Sequence, residues 1–253
     1  MTSKFIILGC GSSMGVPRVD GYWGECNANE KKNYRTRCSA LISTKNKNIL
    51  IDTSPDLRFQ MLKNKIKTID IVLYSHLHAD QTHGINDLRA FYIKNKKKIP
   101  VYADKLTYTY LRNNFSYCFE NERDYPAILN LMLLKKKMIV DGLLFNTITV
   151  KHGNIESQSF IINKKCAYAS DVDLIYKNDL QFFFKLDYLV IDCLRFKYHS
   201  SHFNLENVLE LVKEIKPKKT ILTNLHSDID YNKILKFLPK NVIPAFDGMT
   251  FKI

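Results

Sequence analysis

Residues 76–83 read His76-Leu-His78-Ala-Asp80-Gln81-Thr-His83, which places three of the chain's seven histidines and an aspartate within eight positions. An apolar run, Ile69-Asp-Ile-Val-Leu-Tyr74, comes just before and reads as a buried strand. In extended backbone, residues two apart point to the same side, so His76 and His78 can reach one point in space. Asp80 is close enough to add an oxygen there. Imidazole nitrogens with a carboxylate are the donors that zinc and similar divalent ions prefer. A solvated polar loop is the plainer reading, but it does not account for a spaced cluster placed directly after an apolar run.

The arrangement recurs along the chain. Apolar segments end in Asp52, in His152, in Asp171 and near His226. Polar residues at the ends of buried strands, presented on loops, are how a rigid scaffold assembles a metal site. Asp52 either terminates its strand or supports a metal-ligating imidazole through a hydrogen bond.

The elements that must position these residues are legible in outline. Strands are expected over Lys4–Leu8, Cys38–Ser43, Asn48–Asp52, Pro100–Ala103, Phe145–Val150, Ser159–Ile162, Cys166–Ala169, Tyr188–Asp192 and Thr220–Leu222. Helices are expected over Asp56–Lys63, Asn86–Lys94, Leu106–Asn114, Leu205–Ile215 and Tyr231–Phe237. The clearest is Leu205–Ile215, with Leu205, Val208, Leu209, Val212 and Ile215 on one face. Residues 115–142 show no clear pattern. Spaced glycines follow the first strand, but Pro17, Gly21 and Gly24 come next in place of a helix. That excludes a dinucleotide-binding turn and leaves an irregular loop to about Asn33. Strand pairs in both halves, with helices between, predict two sheets packed face to face with helices outside, in one domain over residues 1–253.

A hydrophobic fraction of 45% over 253 residues is enough for a substantial core. No apolar stretch reaches the length of about 18 residues that a membrane-spanning helix needs, and the N-terminal apolar run is too short for a signal peptide. Six scattered cysteines without a C-x-x-C pair are expected to be reduced, in a cytoplasmic protein. The net charge of +13 would attract phosphate-bearing substrates or nucleic acid. Lysine, asparagine and isoleucine are all frequent, however, and a coding bias produces the same excess.

Taken together, the motifs resemble the metallo-β-lactamase superfamily, in particular the branch containing the phosphoribosyl cyclic phosphodiesterase of phosphonate breakdown. The shared signals are Leu8-Gly-Cys-Gly-Ser-Ser-x-Gly-Val-Pro-Arg18, Arg37-Cys-Ser-x-Leu41, His78-Ala-Asp80, His83-Gly-Ile-x-Asp-Leu-Arg89, Ser170-Asp171 and Phe246-Asp-Gly-Met249. The resemblance implies an α/β (α+β) fold, a four-layer αββα sandwich. It implies His76, His78 and His152 as ligands of a first metal, Asp171 as a bridging carboxylate and Asp80 as a ligand of a second metal. It also implies His202 as the residue handling the leaving-group proton and Asp52 as the acid steadying the histidine loop. His83 then becomes support for that loop.

Two positions depart from the family pattern. Gln81 and Asn224 stand where the resemblance calls for imidazoles, both belonging to the second metal. An amide oxygen is a weak donor to zinc, so that site should bind less tightly or prefer a harder ion such as Mn²⁺. His226, two positions after Asn224, is the candidate replacement. The expected activity is hydrolysis of a small cyclic or nucleotide-like phosphodiester by metal-activated water, with zinc or manganese and a small anionic substrate. The alternatives are a tRNA-processing-type nuclease, or a catalytically weak metal- or ligand-binding member. Relatives often form homodimers.

Overall fold

Neighbouring residues on the buried strands serve different cores, and this alternation decides the architecture. On one strand Ile49 and Ile51 face one cluster while Leu50 faces another. On a second strand Val190 joins the first of these clusters, and Leu189 and Ile191 join a third. Period-two alternation with both sides apolar is the pattern of a strand covered on both faces.

The computed structural model describes residues 3–122 and 124–253. Its strands, in chain order, are β1 (Lys4–Gly9), β2 (Ser39–Ser43), β3 (Asn48–Ile51), β4 (Ile71–Leu73), β5 (Ile99–Ala103) and β6 (Leu129–Leu133). There follow β7 (Lys137–Val140), β8 (Leu143–His152), β9 (Ile155–Ile162), β10 (Cys166–Ala169), β11 (Tyr188–Asp192), β12 (Lys219–Thr223), β13 (Val242–Pro244) and β14 (Thr250–Lys252). They form two seven-stranded sheets, in the orders β14-β1-β2-β3-β4-β5-β6 and β13-β12-β11-β10-β9-β8-β7. In the first sheet β14 through β3 pair antiparallel and β3 through β6 pair parallel. The second sheet has the same division: β10 through β13 are parallel, and β7 through β10 antiparallel.

The inner faces meet in a cluster that includes Phe5, Ile42 and Ile51 from one sheet and Phe145, Phe160 and Tyr168 from the other. The outer face of the first sheet is covered by α1 (Leu57–Lys63), α3 (Arg89–Asn95), α4 (Lys105–Asn114) and α5 (Ser116–Phe119), together with the turn that carries Ile85 and Leu88, while the short α2 (Ala79–Thr82) adds no side chain to that cluster. On the second sheet α6 (Leu205–Ile215) and α7 (Tyr231–Ile234) bury Val208, Val212, Ile215 and Ile234. Helix α6 begins at a capping box in which the Asn204 side chain accepts from the Asn207 backbone at 2.9 Å. The result is the expected four-layer αββα sandwich.

Three expectations need correction. Residues 115–142 hold α5, β6 and β7. The last two are edge strands with mixed exposure, with Leu133 and Ile139 facing solvent, which blurs the apolar period. The helix expected from Asn86 is instead a 3₁₀ turn, Ile85–Leu88, leading into α3. The last helix likewise tightens to 3₁₀ over Leu235–Phe237.

One close contact locks the loop after β3 against the histidine loop. Gly84 donates to the Thr53 carbonyl at 2.9 Å, and a Cβ on Gly84 would overlap the Ser54 carbonyl oxygen. Gly84→Ala is therefore expected to destabilise the fold by about 1–3 kcal/mol, the usual range for overpacking. In a thermal melt this reads as a drop of several degrees in Tm.

Candidate metal centre

The loop after β4 carries His76 and His78, and its shape is set by Asp52 at the end of β3. Asp52 is fully buried and sits in the left-handed region at φ 62°. Its carboxylate accepts from the Ser75 backbone N–H at 2.7 Å and from the Ser75 hydroxyl at 2.8 Å. Burial drives the Asp52 pKa well up, and the two Ser75 hydrogen bonds work against that. Ser75 Oγ also lies 3.0 Å from His76 Nδ1. With its proton given to Asp52, Ser75 can only accept there, so His76 carries its hydrogen on Nδ1 and turns the lone pair of Nε2 inward. Asp52 thus steadies the histidine loop through Ser75 and not by touching an imidazole.

His152, the last residue of β8, is fixed in the same way. Its Nδ1 lies 2.6 Å from the Ser201 carbonyl, which can only accept, so Nε2 presents a lone pair. The inward nitrogens converge: His76 Nε2 is 2.9 Å from His78 Nδ1, and His152 Nε2 is 3.2 Å from the same atom. Nitrogens bound to one tetrahedral zinc at about 2.05 Å lie about 3.3 Å apart. With two tautomers set by outside partners, the cluster presents lone pairs facing one another, which a cation resolves. The donor set therefore fits a divalent metal. Burial pushes the His76 pKa down to about 3, which keeps its ring neutral, as a ligand must be.

Next to this triad lies Asp171, buried at the end of β10. Asp171, His152 and His202 form a second group of donor atoms within 4.8 Å of one another. Asn224 Nδ2 donates to Asp171 Oδ1 at 3.1 Å, and Gln81 Nε2 donates to Asp171 Oδ2 at 3.3 Å. Gln81 Nε2 also reaches Asp80 Oδ2 at 3.2 Å. Burial, with the Asp171 charge added, raises the Asp80 pKa.

His202 Nδ1 lies 2.6 Å from Asp192 Oδ2, an oxygen that also accepts from the Val172 backbone at 3.0 Å. Burial raises the Asp192 pKa to about 7, against the pull of His202. Burial alone would lower His202, but the Asp192 charge and hydrogen bond, with help from Asp171 and Asp80, outweigh it and raise the ring to about 9. The pair keeps a proton on Nδ1 and leaves Nε2 as the second ring nitrogen.

His78, Asp80, His152, Asp171, His202, Asn224 and His226 all line one cavity of about 290 Å³. His226 lies outside both donor groups, with Nδ1 3.2 Å from Asp228, so the structure does not bring it to the metal position. His83 is exposed and rests edge-on against Phe115, and its Nδ1 lies 3.1 Å from the Thr82 hydroxyl, which donates to the His78 carbonyl at 2.9 Å, so it touches the histidine loop from outside without lining the cavity. His199 lines the cavity, and its ring is bonded to Ser201 at 3.1 Å. Three functional groups were missed by the sequence reading. Ser75 holds the His76 ring, Asp192 holds the His202 ring, and Arg195 lines the cavity without an acidic partner among the described residues. Only Asp192 carried a signal, as an acid ending a buried strand, as Asp52 does.

Replacing Ser75 by Ala frees the His76 ring while the Asp52 carboxylate keeps its backbone donor. Metal affinity is expected to fall about 10–100-fold, the usual effect of losing a group that orients a ligand. Competition with a chromophoric chelator measures it.

A profile of the beta-lactamase superfamily domain matches residues 47–224. The chain is 31% identical over 253 residues to an octanoyltransferase from Porphyromonas gingivalis (strain ATCC BAA-308 / W83). That match covers 97% of this chain and 51% of the relative, so the chain spans about half the length of this curated protein. Among solved structures, a diphosphatase of the PhnP family is 29% identical with a TM-score of 0.91, covering 100% of this chain and 98% of that one. Zn²⁺-bound PqqB from Methylobacterium extorquens gives a TM-score of 0.82 at 15% identity, covering 99% of this chain and all of its own, which shows shared fold alone. The same holds for the short form of human tRNase Z, with a TM-score of 0.70 at 16% identity and 98% of each chain covered. Because the profile spans β3 to β12 and with them His76, His78, His152 and Asp171, the chain belongs to the beta-lactamase superfamily and has the metallo-β-lactamase fold.

Proposed function

We infer that this protein is a metal-dependent phosphodiesterase acting on a small anionic substrate, a cyclic or nucleotide-like phosphodiester. The observation that carries this reading is the juxtaposition of the convergent His76–His78–His152 triad with the Asp192-backed His202, with His78, His152 and His202 lining one cavity. The match to a PhnP-family diphosphatase supports phosphorus–oxygen chemistry in particular.

His76, His78 and His152, with Asp171 beside them, would hold the ion, and a nitrogen-rich set favours zinc, with manganese the alternative. A divalent ion there supplies Lewis-acid chemistry, lowering the pKa of water and screening charge on phosphoryl oxygens. Asp80, on the cavity wall with its pKa raised, is placed to orient the attacking water and accept its proton. His202, held at Nδ1 by Asp192, gives a proton from Nε2 to the departing oxygen. Arg195 and the Ser12 hydroxyl, which is buried without a partner, line the same wall and would bind the substrate's anionic oxygens. A cavity of about 290 Å³ suits a small molecule better than a folded RNA. The net charge of +13 favours the second reading, a tRNA-processing-type nuclease, which a salt-resistant gel shift with tRNA would support. Among the described residues all six cysteines are free and buried, which supports a reducing, cytoplasmic setting.

The test combines elemental analysis with hydrolysis of an aryl phosphodiester under added Zn²⁺, Mn²⁺ and Mg²⁺. His78→Ala is expected to lose both metal and activity. His202→Ala should keep its metal and turn over about 10²–10⁴-fold more slowly, the range for a general acid. Arg195→Ala should raise KM more than it lowers kcat. A protein that takes up no metal and is inert with every ion would overturn the reading.

A further inference from the structure

Asp171 stands where a carboxylate would join a second ion to the first, yet amide N–H groups already hold both its oxygens. Asn224 Nδ2 donates to Oδ1 at 3.1 Å, and Gln81 Nε2 donates to Oδ2 at 3.3 Å. Both amides are buried, to 1% and 0% exposure. Their orientation follows from their neighbours. Asn224 Nδ2 also donates to the Ser170 carbonyl at 2.9 Å, so the flipped amide would set oxygen against oxygen. Gln81 Nε2 faces Asp80 as well as Asp171, and the flipped form would oppose both carboxylates. Gln81 Oε1 is left buried and without a partner, so the nitrogen is held toward the acids even at the expense of its own oxygen.

The remaining donors do not make a second site. Two groups of donor atoms could hold an ion among the described residues, His76–His78–His152 and His152–Asp171–His202, and both contain His152. Its Nδ1 is committed to the Ser201 carbonyl, which leaves a single ring nitrogen, and that serves one ion. His202 Nδ1 is likewise committed to Asp192. We propose that this protein holds one metal ion, and that Gln81 and Asn224 together clamp Asp171 in place of a second. This rests on the metal-hydrolase reading above. The clamp does part of a second ion's work, fixing the carboxylate and pairing both its oxygens, but it brings no positive charge. The cationic work at the substrate then falls to the single ion, His202 and Arg195.

The test is metal stoichiometry, which needs no substrate. The full chain is stripped with chelator and titrated with Zn²⁺ and with Co²⁺ by calorimetry, and the metal retained after gel filtration is counted by elemental analysis. One equivalent is expected. The Gln81→His/Asn224→His variant, checked for folding by circular dichroism, is expected to take two equivalents, with the visible Co²⁺ absorption continuing to grow past the first. Two equivalents in the unaltered protein would overturn the proposal and leave the hydrolase reading standing. None would overturn both. A double variant that folds and still takes one equivalent would refute the role given to the two amides. Gln81→Ala alone supplies a second check, since it removes half of the clamp without adding a ligand. One equivalent must persist there.

Discussion

Ring lone pairs aimed at one point do not attract each other, and the candidate site depends on that fact. His76 Nε2 and His152 Nε2 are each held about 3 Å from His78 Nδ1, with the first two rings set by their surroundings. Ser75 fixes one ring, and the Ser201 carbonyl fixes another. The work of convergence is done by the scaffold: three apolar clusters that bury nearly every strand on both faces. A site organised before its ion arrives does not have to rearrange when the ion binds. Its supports therefore matter as much as its ligands.

The edge of the sandwich at which this happens follows from strand direction. β3 and β4 are parallel, and their ends deliver Asp52 and the His76–His78 loop. β10, β11 and β12 are parallel and deliver Asp171, Asp192 and Asn224. β8 is antiparallel to β9, which is antiparallel to β10, so β8 runs with β10 and its last residue, His152, comes out at the same edge. The Ser75 carbonyl accepts from Gln158 on β9 at 2.9 Å, a direct link from the histidine loop to the second sheet. Open sheets bind ligands outside the carboxyl ends of parallel strands. Here two such edges face each other and share one ligand set.

The parts legible in the sequence were those written locally. Alternating or continuous apolar runs gave away the buried strands, and polar residues at strand ends gave away most of the side chains that converge in the candidate site. Edge strands β6 and β7 escaped because half of each faces water, which erases the pattern. The supports escaped for a different reason: their meaning lies in partners far along the chain. His78 meets His152 across 74 positions, and Gln81 meets Asp171 across 90. Asp192 read as a strand terminus until His202 arrived beside it. His226 shows the opposite failure. Its spacing from Asn224 suggested a shared direction, but Asn224 sits in the left-handed region at φ 58° and the chain turns there, so period-two reasoning no longer applies.

Buried carboxylates explain why Gln81 and Asn224 belong together. Asp52, Asp171 and Asp192 are each 3% exposed or less, and an ionised carboxylate at that depth is costly unless its oxygens are paired. Asp52 is answered by Ser75 at both oxygens, and Asp192 by His202 and the Val172 N–H at Oδ2, with Oδ1 left buried and unpartnered. Asp171 has an oxygen on each side, and one amide covers each. Either amide alone would leave one oxygen bare or dependent on an ion held by too few ligands. An imidazole in only one of the two places would meet the same shortage from the other direction. The two departures from the family pattern are thus one physical feature, a neutral pair of donors that satisfies one buried acid.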